Sequence, residues 1–467
     1  MAKSKKPETV SELQRSGYQT VSVRTELRKN LIEKIKTGQT LFPGIVGYDE
    51  TVIPQLQNAI LAGQDVVFLG ERGQAKSRLI RNLVSLLDEE IPYIAGCEIN
   101  DNPYQPICQA CRDKVVELGD KVEIAWLPKE ERYAEKLATP DISIADLIGE
   151  IDPIKVAEGR YLSDELTIHY GLIPRTNRGI FSINELPDLA ERIQVGLFNL
   201  MEERDVQIKG YRIRLPLDVY VVATANPEDY TNRGRIITPL KDRYGAQIRT
   251  HYPRTSDEEI EIVEQERSRF ADSEENVKVP VYIKDIIAEF TSLARRSPDI
   301  NQRSGVSVRV SIANYETLVS NAFKRSLQHK EGFAVPRISD LPAILASTTG
   351  KIELESVEEG REARIIEELT KKAVLNVFGR YFNVRDFDTL IQKFEQGLAV
   401  ETGSDIPSKS YKQLLKDLEG ISIALERLQV KDEPAAIASA IEFVLDGLHL
   451  SRKLNRDRVE GRFRYRS

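Results

Sequence analysis

Residues 65–77 read Asp-Val-Val-Phe-Leu-Gly-Glu-Arg-Gly-Gln-Ala-Lys-Ser. The first five are typical of a buried strand, the next six include two glycines, and the helix that follows carries leucine and isoleucine at helical spacing. A strand, a glycine-rich loop and a helix in this order direct backbone N–H groups and a helix N-terminus at phosphate groups. The stretch therefore predicts a phosphate-binding loop in an α/β sheet, and the alternative is an ordinary strand-to-helix turn.

The residues of this loop have separate predicted roles. Gly70 and Gly73 let the backbone turn tightly, Lys76 reaches the β- and γ-phosphates, and the Ser77 hydroxyl binds Mg²⁺. Ala75 stands where a glycine usually precedes the lysine. We expect the alanine to be tolerated, because a residue that opens a helix has a negative φ. The candidate cofactor-binding residues of the loop are Gly70, Gly73, Gln74, Ala75, Lys76 and Ser77.

Two further segments read as strands of the same sheet. Residues 178–185 end in Asn184 and Glu185, and residues 219–226 end in Asn226. Polar groups at the carboxyl ends of parallel strands face the ligand crevice. Glu185 is the candidate base that activates water, Asn226 would position that water, and Asn184 replaces an aspartate that would help to hold Mg²⁺. The alternatives are a buried strand that runs into a loop and an asparagine that opens a turn before proline.

Composition and charge restrict the class of protein. The 467 residues suggest about two to four domains, and 41% hydrophobic with 30% charged residues is typical of a globular chain. No run approaches the ~18 apolar residues of a membrane helix, and the start lacks a signal segment, so we expect a cytoplasmic protein. The net charge is −7, with +5 on residues 1–40 and +5 on residues 452–467, which leaves −17 between them and disfavours nucleic acid. We expect both basic ends to be solvated and flexible, with contact to an acidic partner as the alternative.

The pattern of periodicity divides the chain. From residue 41 to about 255, strands alternate with helices, which predicts a parallel sheet covered on both faces. Helix then follows helix, and strand-like runs are nearly absent. We predict an α/β fold with four segments: an N-terminal helical segment at 1–40, the nucleotide-binding α/β domain at 41–255, a helical domain at 256–350, and a C-terminal helical region with a basic tail at 351–467.

Taken together, these segments resemble the AAA+ ATPases, in particular the ATPase subunit of magnesium chelatase (subunit I) and the MoxR-type ATPases. The resemblance runs from Phe42 to about Leu345 and rests on residues 70–77, 178–185, 225–228 and 239–245. It implies a P-loop domain folded as an αβα sandwich, an all-helical lid at 256–350, and the use of ATP and Mg²⁺. It also implies a homo-oligomeric ring, a hexamer, that remodels a partner protein, and a partner with a von Willebrand A domain.

The resemblance assigns four more residues. Arg243 matches the arginine finger that enters the ATP site of the neighbouring subunit, and Arg309 matches the sensor arginine of the lid. Val46 and Gly47 match the stretch that packs against adenine. The alternative for each arginine is a solvated or ion-paired side chain.

Two insertions and two departures complete the resemblance. Residues 141–178 and 205–217 resemble insertions through which such ATPases contact the protein they remodel. Asn184 and Ala75 depart from the usual residues, which implies slow ATP turnover. The rival functions are a non-hydrolysing ATP-dependent scaffold or switch and a true metal-chelatase subunit.

All three cysteines, Cys97, Cys108 and Cys111, lie within fifteen residues. The Cys-x-x-Cys spacing suits two thiolates on one zinc ion, but a tetrahedral site needs a fourth ligand, for which Glu98, Asp101 or a distant residue is available. We expect buried reduced thiols, because a disulfide would not persist in the cytoplasm, and we keep zinc as the alternative.

Overall fold

The computed structural model describes residues 6–152, 154, 157, 165–203, 205–207, 214–226, 235–302, 304–355, 360–459 and 461–467. The chain forms two compact units, Met1–His251 and Tyr252–Ser467. The finer division into four segments stays a prediction. None of the helices in the described ranges combines the length and the apolar character needed to cross a membrane.

The first unit alternates strands and helices, as the sequence predicts. Its strands are β1 (Val66–Leu69), β2 (Glu90–Ile94), β3 (Ile124–Pro128), β4 (Tyr133–Leu137), β5 (Gly149–Ile151), β6 (Ile168–Tyr170), β7 (Gly179–Asn184), β8 (Asp205–Gln207), β9 (Arg214–Pro216), β10 (Val219–Ala225) and β11 (Ala246–Arg249). Its helices are α1 (Val10–Arg15), α2 (Val23–Thr37), α3 (Val52–Leu61), α4 (Lys76–Asn82), α5 (Gln109–Leu118), α6 (Ile144–Leu147), α7 (Leu172–Arg175), α8 (Glu191–Glu203) and α9 (Thr238–Arg243). The strands expected at 65–69, 179–183 and 219–225 are therefore confirmed as β1, β7 and β10.

Five strands form a parallel sheet in the order β11-β1-β10-β7-β4. Every neighbouring pair is parallel; Val66 pairs with Val222 on one side and with Ala246 on the other. Because parallel strands end at the same edge, the segments after β1, β7 and β10 meet there even though they are far apart in the chain.

Successive residues of β1 point to opposite faces, and both faces are covered. Val66 and Phe68 pack into a core that includes Leu27 of α2 and Leu56 of α3. Val67 packs into a separate core on the other face. A strand buried on both faces reads as a continuous apolar run, which is what residues 66–69 show. The predicted αβα sandwich is confirmed.

The amino edge of the sheet carries a buried network of charges. Arg132, just before β4, donates to both carboxylate oxygens of Glu26 at 2.6 Å and to the carbonyl of Arg178. Asp65, just before β1, accepts from Arg24 at 2.6 Å. Since Arg24 and Glu26 both lie in α2, these ion pairs attach that helix to the sheet.

The two predicted insertions contain short antiparallel pairs. Strands β8 and β9 pair with each other, which confirms the base of the hairpin expected at 205–217; residues 204 and 208–213 lie outside the described residues. Within 141–178, strand β5 pairs with β6, while residues 153, 155–156 and 158–164 lie outside the described residues.

The second unit is mainly helical. Its helices are α10 (Ser256–Glu266), α11 (Ala271–Asn276), α12 (Val281–Ala294), α13 (Arg309–Gln328), α14 (Ile344–Thr348), α15 (Arg361–Tyr381), α16 (Asp388–Glu395), α17 (Ser408–Leu414), α18 (Ser422–Arg427) and α19 (Pro434–Leu450). Helix α19 is buried along nearly its whole length, and α12 and α15 also contribute residues to the main core of this unit.

The chain ends differ from the expectation. Strands β12 (Val400–Thr402), β13 (Asn455–Val459) and β14 (Arg462–Arg466) form an antiparallel sheet in the order β12-β14-β13, so the C-terminal region is not purely helical. Tyr465 is buried and its hydroxyl donates to Asp446 at 3.0 Å. In β14 arginines alternate with Phe463 and Tyr465, so one face packs on the core and the other meets solvent. The expectation of a flexible tail is wrong for residues 452–459 and 461–467, which include two paired strands, but most of its basic side chains are solvated as expected.

The N-terminal segment is also packed. Val10 and Leu13 of α1 are buried, and the amide of Val10 donates to the carbonyl of Val122 at 3.0 Å. The expectation of a flexible basic start is therefore wrong for residues 6–40, which the structure describes.

Candidate nucleotide site

The phosphate loop has an unexpected conformation at its last residue. Ala75 directly precedes α4 with φ 54° and ψ 17°, which is left-handed, as is Gly73 with φ 76°. The expectation of a negative φ at Ala75 is wrong. The loop turns back on itself there before the helix begins, a conformation that directs successive N–H groups inward. For an alanine it costs about 1 kcal/mol relative to right-handed backbone, which is why glycine is usual at this position.

The start of the loop is closely packed against Gln74 and Thr250. A Cβ on Gly70 would lie 2.0 Å from the Thr250 hydroxyl and 2.3 Å from Gln74 Oε1, so only glycine fits. Gln74 Oε1 accepts from the Glu71 amide at 3.1 Å and from the Thr250 hydroxyl at 2.7 Å. The Gln74 side chain thus connects the start of the loop to Thr250 and stabilises the loop conformation.

Lys76 begins α4 and is buried, with 8% of its surface exposed. Its ammonium donates to the carbonyls of Gly70 and Glu71, the latter at 2.8 Å, and to Asn226 Oδ1 at 2.6 Å. These acceptors hold the cation inside the loop, where a phosphate would meet it.

Asn226 and Glu185 join this cation from two other strands. Asn226, at the end of β10, accepts from Lys76 and donates through Nδ2 to Glu185 Oε2. Glu185 follows β7 in a left-handed conformation, φ 57° and ψ 46°, and its amide donates to the Thr224 hydroxyl at 3.0 Å. The structure therefore brings together a cation, an amide and a carboxylate that sequence analysis proposed separately.

Asn184 is held by a carboxylate that sequence analysis missed. Its Nδ2 donates to Glu135 on β4, and its Oδ1 accepts from the Thr224 hydroxyl at 3.3 Å. Glu135 also forms an ion pair with Arg81 at 2.9 Å. Partial burial raises the pKa of Glu135, but hydrogen bonds from Arg81, and then from Tyr133, outweigh it, so the net shift is downward and the carboxylate is ionised at neutral pH.

Other predicted nucleotide residues lie around the loop. Ser77 is the second residue of α4 and is half-buried. Val46 and Gly47 lie just before α3, and Gly47 has a φ of 74°. The next residue, Tyr48, donates to the carbonyls of Gln74 at 2.9 Å and of His251 at 2.8 Å. Burial raises the pKa of Tyr48 to about 12, so its hydroxyl remains a donor that ties the 42–48 segment to the loop.

A cavity of about 590 Å³ opens beside the first residues of the loop. It lies between the carboxyl ends of β1 and β11, and Gly70, Gln74 and Thr250 contribute to its wall. A volume in this range accommodates a small organic ligand.

The two predicted arginines lie in different units. Arg243, the last residue of α9, pairs with Glu202 and, at 3.1 Å, with Asp242, and its guanidinium lies 5.1 Å from the Phe198 ring centre. The Arg243 guanidinium is therefore already bound by side chains of its own chain. Arg309 begins α13 in the second unit and is exposed. The roles of both arginines stay predictions.

The cysteines come together in the first unit, away from the loop sequence. The sulfur atoms of Cys97, Cys108 and Cys111 and a carboxylate oxygen of Asp101 lie within 4.8 Å of one another. Asp101 was one of the fourth ligands considered from sequence, whereas Glu98 pairs with Arg175 at 3.7 Å.

Sequence reasoning missed the residues that support the site from a distance. Glu135 had one signal in the sequence, since asparagine in place of the usual aspartate at position 184 removes a charge that would repel a carboxylate from a neighbouring strand. Tyr48 and Thr250 had none, because their contacts with the loop join parts of the chain that no local pattern connects.

A parallel sheet with a phosphate loop after its β1 strand, and with an asparagine and a glutamate at the ends of two neighbouring strands, is the arrangement of a P-loop AAA+ ATPase. Sequence comparison agrees with this class. The magnesium-chelatase subunit ChlI of Nostoc sp. is 27% identical over 371 residues, which cover 73% of this chain and 90% of that protein. The chloroplastic ChlI of Nicotiana tabacum is 30% identical over 251 residues, 52% of this chain and 54% of that protein. The chain thus spans about half the length of that plant relative.

The solved structure of a related complex and the family models give weaker matches or none. A solved complex of the magnesium-chelatase subunits BchI and BchD contains a chain 20% identical to this one, with coverage of 70% of this chain and 98% of the other and a TM-score of 0.36, too low to support a functional argument. No model of a protein family matches the chain. The chain has the AAA+ fold and is similar to ATPase subunits of magnesium chelatase, as its motifs predict.

Proposed function

We propose that this chain is a subunit of a homo-oligomeric ring, a hexamer, that binds and hydrolyses Mg-ATP to remodel a partner protein. The observation that carries the proposal is the hydrogen-bonded series Lys76, Asn226 and Glu185 at one edge of the sheet. A γ-phosphate bound by Lys76 would lie beside the amide that positions water and the carboxylate that activates it. Sequence similarity to ATPase subunits supports the same activity.

Each residue has a distinct task in this proposal. Lys76 and the loop N–H groups bind the phosphates, and Asn226 orients the attacking water. Glu185 accepts the proton that the water loses. Thr224 holds the backbone of Glu185 and the side chain of Asn184 in place.

Three polar side chains of this unit have oxygens that suit a magnesium ion. Hydroxyl, amide and carboxylate oxygens are the ligands that Mg²⁺ prefers. Ser77 at the start of α4 carries a hydroxyl, and Asn184 at the end of β7 adjoins the carboxylate of Glu135. When bound, Mg²⁺ neutralises charge on the β- and γ-phosphates. Asn184 alone would hold it more weakly than an aspartate. Glu135 beside it would add a carboxylate at this position, although that carboxylate also pairs with Arg81.

Arg243 would contact the ATP that is bound to the neighbouring subunit. Arg309 would be directed at the γ-phosphate by the lid on which it lies. In the single chain, Glu202 and Phe198 hold Arg243. Ring assembly would have to release that guanidinium before it reaches a phosphate.

Two rival functions remain, each with an observation in its favour. A non-hydrolysing scaffold is favoured by Asn184 and by the strained Ala75. A metal-chelatase subunit is favoured by the names of the relatives. Phosphate release in the presence of Mg-ATP would exclude the non-hydrolysing scaffold. A neighbouring gene for a porphyrin-binding chelatase subunit would favour the metal-chelatase subunit, whereas a neighbouring gene for a von Willebrand A protein alone would favour protein remodelling.

The proposal is tested by ATP binding and turnover of matched variants. Lys76→Ala should weaken ATP binding by roughly 10- to 100-fold, as expected for loss of a hydrogen-bonded charge, measured by calorimetry. Glu185→Gln should keep ATP affinity and slow phosphate release by roughly 10²- to 10⁴-fold, the usual contribution of a positioned base. Lys121→Ala, an exposed lysine of the same unit, is the control and should change neither. Unchanged ATP affinity in Lys76→Ala would end the phosphate-loop assignment.

A further inference from the structure

Four potential ligand atoms converge in a buried corner of the first unit. They are the sulfurs of Cys97, Cys108 and Cys111 and one oxygen of Asp101, all within 4.8 Å of one another. The Cys97 and Cys108 sulfurs are 4.0 Å apart. Tetrahedral zinc with Zn–S bonds of ~2.3 Å places its sulfur ligands ~3.8 Å apart, so the sulfur spacing fits a common central ion.

Asp101 supplies an independent observation. It is completely buried, and its Oδ2 accepts from the amides of Ile107 at 3.1 Å and Cys108 at 3.0 Å. Its Oδ1 is also buried and has no hydrogen-bond donor among the described residues. A buried carboxylate oxygen without a donor is costly. Since Oδ1 belongs to the same carboxylate that lies among the three sulfurs, a cation there would supply its missing partner.

The backbone is arranged to stabilise thiolates. The Asp101 amide donates to the Cys97 sulfur and the Cys111 amide to the Cys108 sulfur, both at 3.4 Å. Cys108 is the N-cap of α5, so the positive end of the helix dipole faces the cluster. These N–H groups and the helix N-terminus would stabilise the negative charge of thiolates that bind a cation.

We propose that Cys97, Cys108, Cys111 and Asp101 bind one Zn²⁺ ion as a closed, four-ligand structural site. On binding, the thiols that are protonated lose their protons to solvent and form zinc–sulfur bonds, and no oxidant or reductant takes part. The ion ties the 97–108 loop to α5. With four protein ligands it has no open position for water, so its role is to stabilise the fold rather than to take part in ATP chemistry.

Metal analysis of the full chain, purified without added metal or chelator, tests the proposal. We expect about one zinc per chain, the stoichiometry of a single closed site. Cys111→Ser and Asp101→Asn should lower zinc affinity by at least ~100-fold, more than the loss of a group outside the coordination sphere usually costs. Asp113→Asn is the matched control: Asp113 lies on the same helix but is exposed and outside the cluster, so the zinc content should stay unchanged.

A second measurement does not depend on whether the variants fold. Replacing zinc by Co²⁺ in the unmodified chain should produce a thiolate-to-cobalt charge-transfer band and intense d–d bands of a tetrahedral site. Cobalt absorption typical of oxygen ligands alone would overturn the ligand set. Less than about a tenth of an equivalent of zinc after purification, together with no metal uptake by the reduced chain, would leave buried thiols as the explanation. A Cys97–Cys108 disulfide in the freshly isolated chain, detected by mass spectrometry, would also overturn the proposal.

Discussion

The two edges of the five-stranded sheet both carry buried polar groups, but they differ in how those groups are satisfied. At the amino edge, Glu26 and Arg132 form a bidentate ion pair, and Asp65 pairs with Arg24. At the carboxyl edge, Lys76 donates to two loop carbonyls and to Asn226. The amino edge joins carboxylates to guanidinium groups, whereas the carboxyl edge places a lysine in a loop whose conformation suits an anion.

The difference teaches how to separate a structural network of charges from a functional one. Burial and charge are common to both edges. The carboxyl edge combines a lysine that donates to loop carbonyls with the Glu185 carboxylate and a loop whose conformation directs N–H groups inward. Changes at the amino edge should therefore alter folding, and changes at the carboxyl edge should alter ATP chemistry.

The largest expected effect concerns Arg243 and the ring. Arg243→Ala alone should bind ATP but lose roughly 10³- to 10⁵-fold in turnover, the contribution of an arginine finger. Lys76→Ala alone should be nearly inactive at ATP concentrations near the Kd of the unmodified chain, because its ATP affinity is roughly 10- to 100-fold lower. Mixing the two should restore phosphate release, because the intact Arg243 of one subunit can complete the site of its neighbour. Recovery should rise with protein concentration.

Two results decide this prediction. If the mixture remains inactive although native gels show that the variants assemble together, Arg243 acts within its own chain, where Glu202 already holds it. Glu202→Gln is the companion variant, since it loosens that contact without touching the phosphate loop, and it should retain activity.

The next largest effect is expected at the amino edge, for the ion pair of Arg132 and Glu26. Arg132→Ala leaves the buried Glu26 carboxylate without its partner and should lower the free energy of unfolding by ~3–5 kcal/mol, as for other broken buried pairs. Denaturant titration measures the loss. The double variant Arg132→Met, Glu26→Leu should recover most of it, since no charge is then left unpaired. A change in the ATP affinity of the folded double variant would contradict the claim that the amino edge contributes to folding and not to ATP binding.

A smaller effect is expected at Asn184. Asn184→Asp would place a second carboxylate beside Glu135, so the variant should need about tenfold less Mg²⁺ for half-maximal hydrolysis, as expected for a charged ligand in place of an amide. In EDTA the same variant should be less stable than the unmodified chain, because the two carboxylates repel each other. Adding Glu135→Gln should remove that loss of stability. An unchanged Mg²⁺ requirement would show that position 184 does not face the metal.

The smallest effect concerns the backbone at Ala75. Since Ala75 adopts a left-handed conformation, Ala75→Gly should raise the free energy of unfolding by up to about 0.5 kcal/mol, because relief of about 1 kcal/mol of strain is offset in part by the chain entropy of glycine. Ala62→Gly, at an exposed position with φ −84°, is the control and should not stabilise. Destabilisation by both substitutions would indicate that the loop relaxes to a negative φ at Ala75 in solution.

Much of the candidate site was predictable from sequence because its residues lie next to strands with strong local patterns. Lys76, Glu185 and Asn226 each follow an apolar run, and parallel pairing alone brings such strand ends to one edge. Two signals were present but were read wrongly. The alternation of arginine with Phe463 and Tyr465 is a strand pattern, and the glycine usual before the lysine indicates a left-handed position rather than a helix start.

By itself, the sequence determined the order of strands, loop and helices around residues 65–77 and the chemical groups available at three strand ends, because periodicity and glycine placement act over a few neighbouring residues. Only the tertiary structure decided that Glu135 on β4 contacts Asn184 on the adjacent strand β7. It also decided that Asp101 lies among three cysteines and that Arg132 neutralises Glu26. These contacts join residues between 4 and more than 100 positions apart in the chain. No local pattern specifies such pairs, since they follow from the packing of whole elements and from the need of each buried charge for a partner.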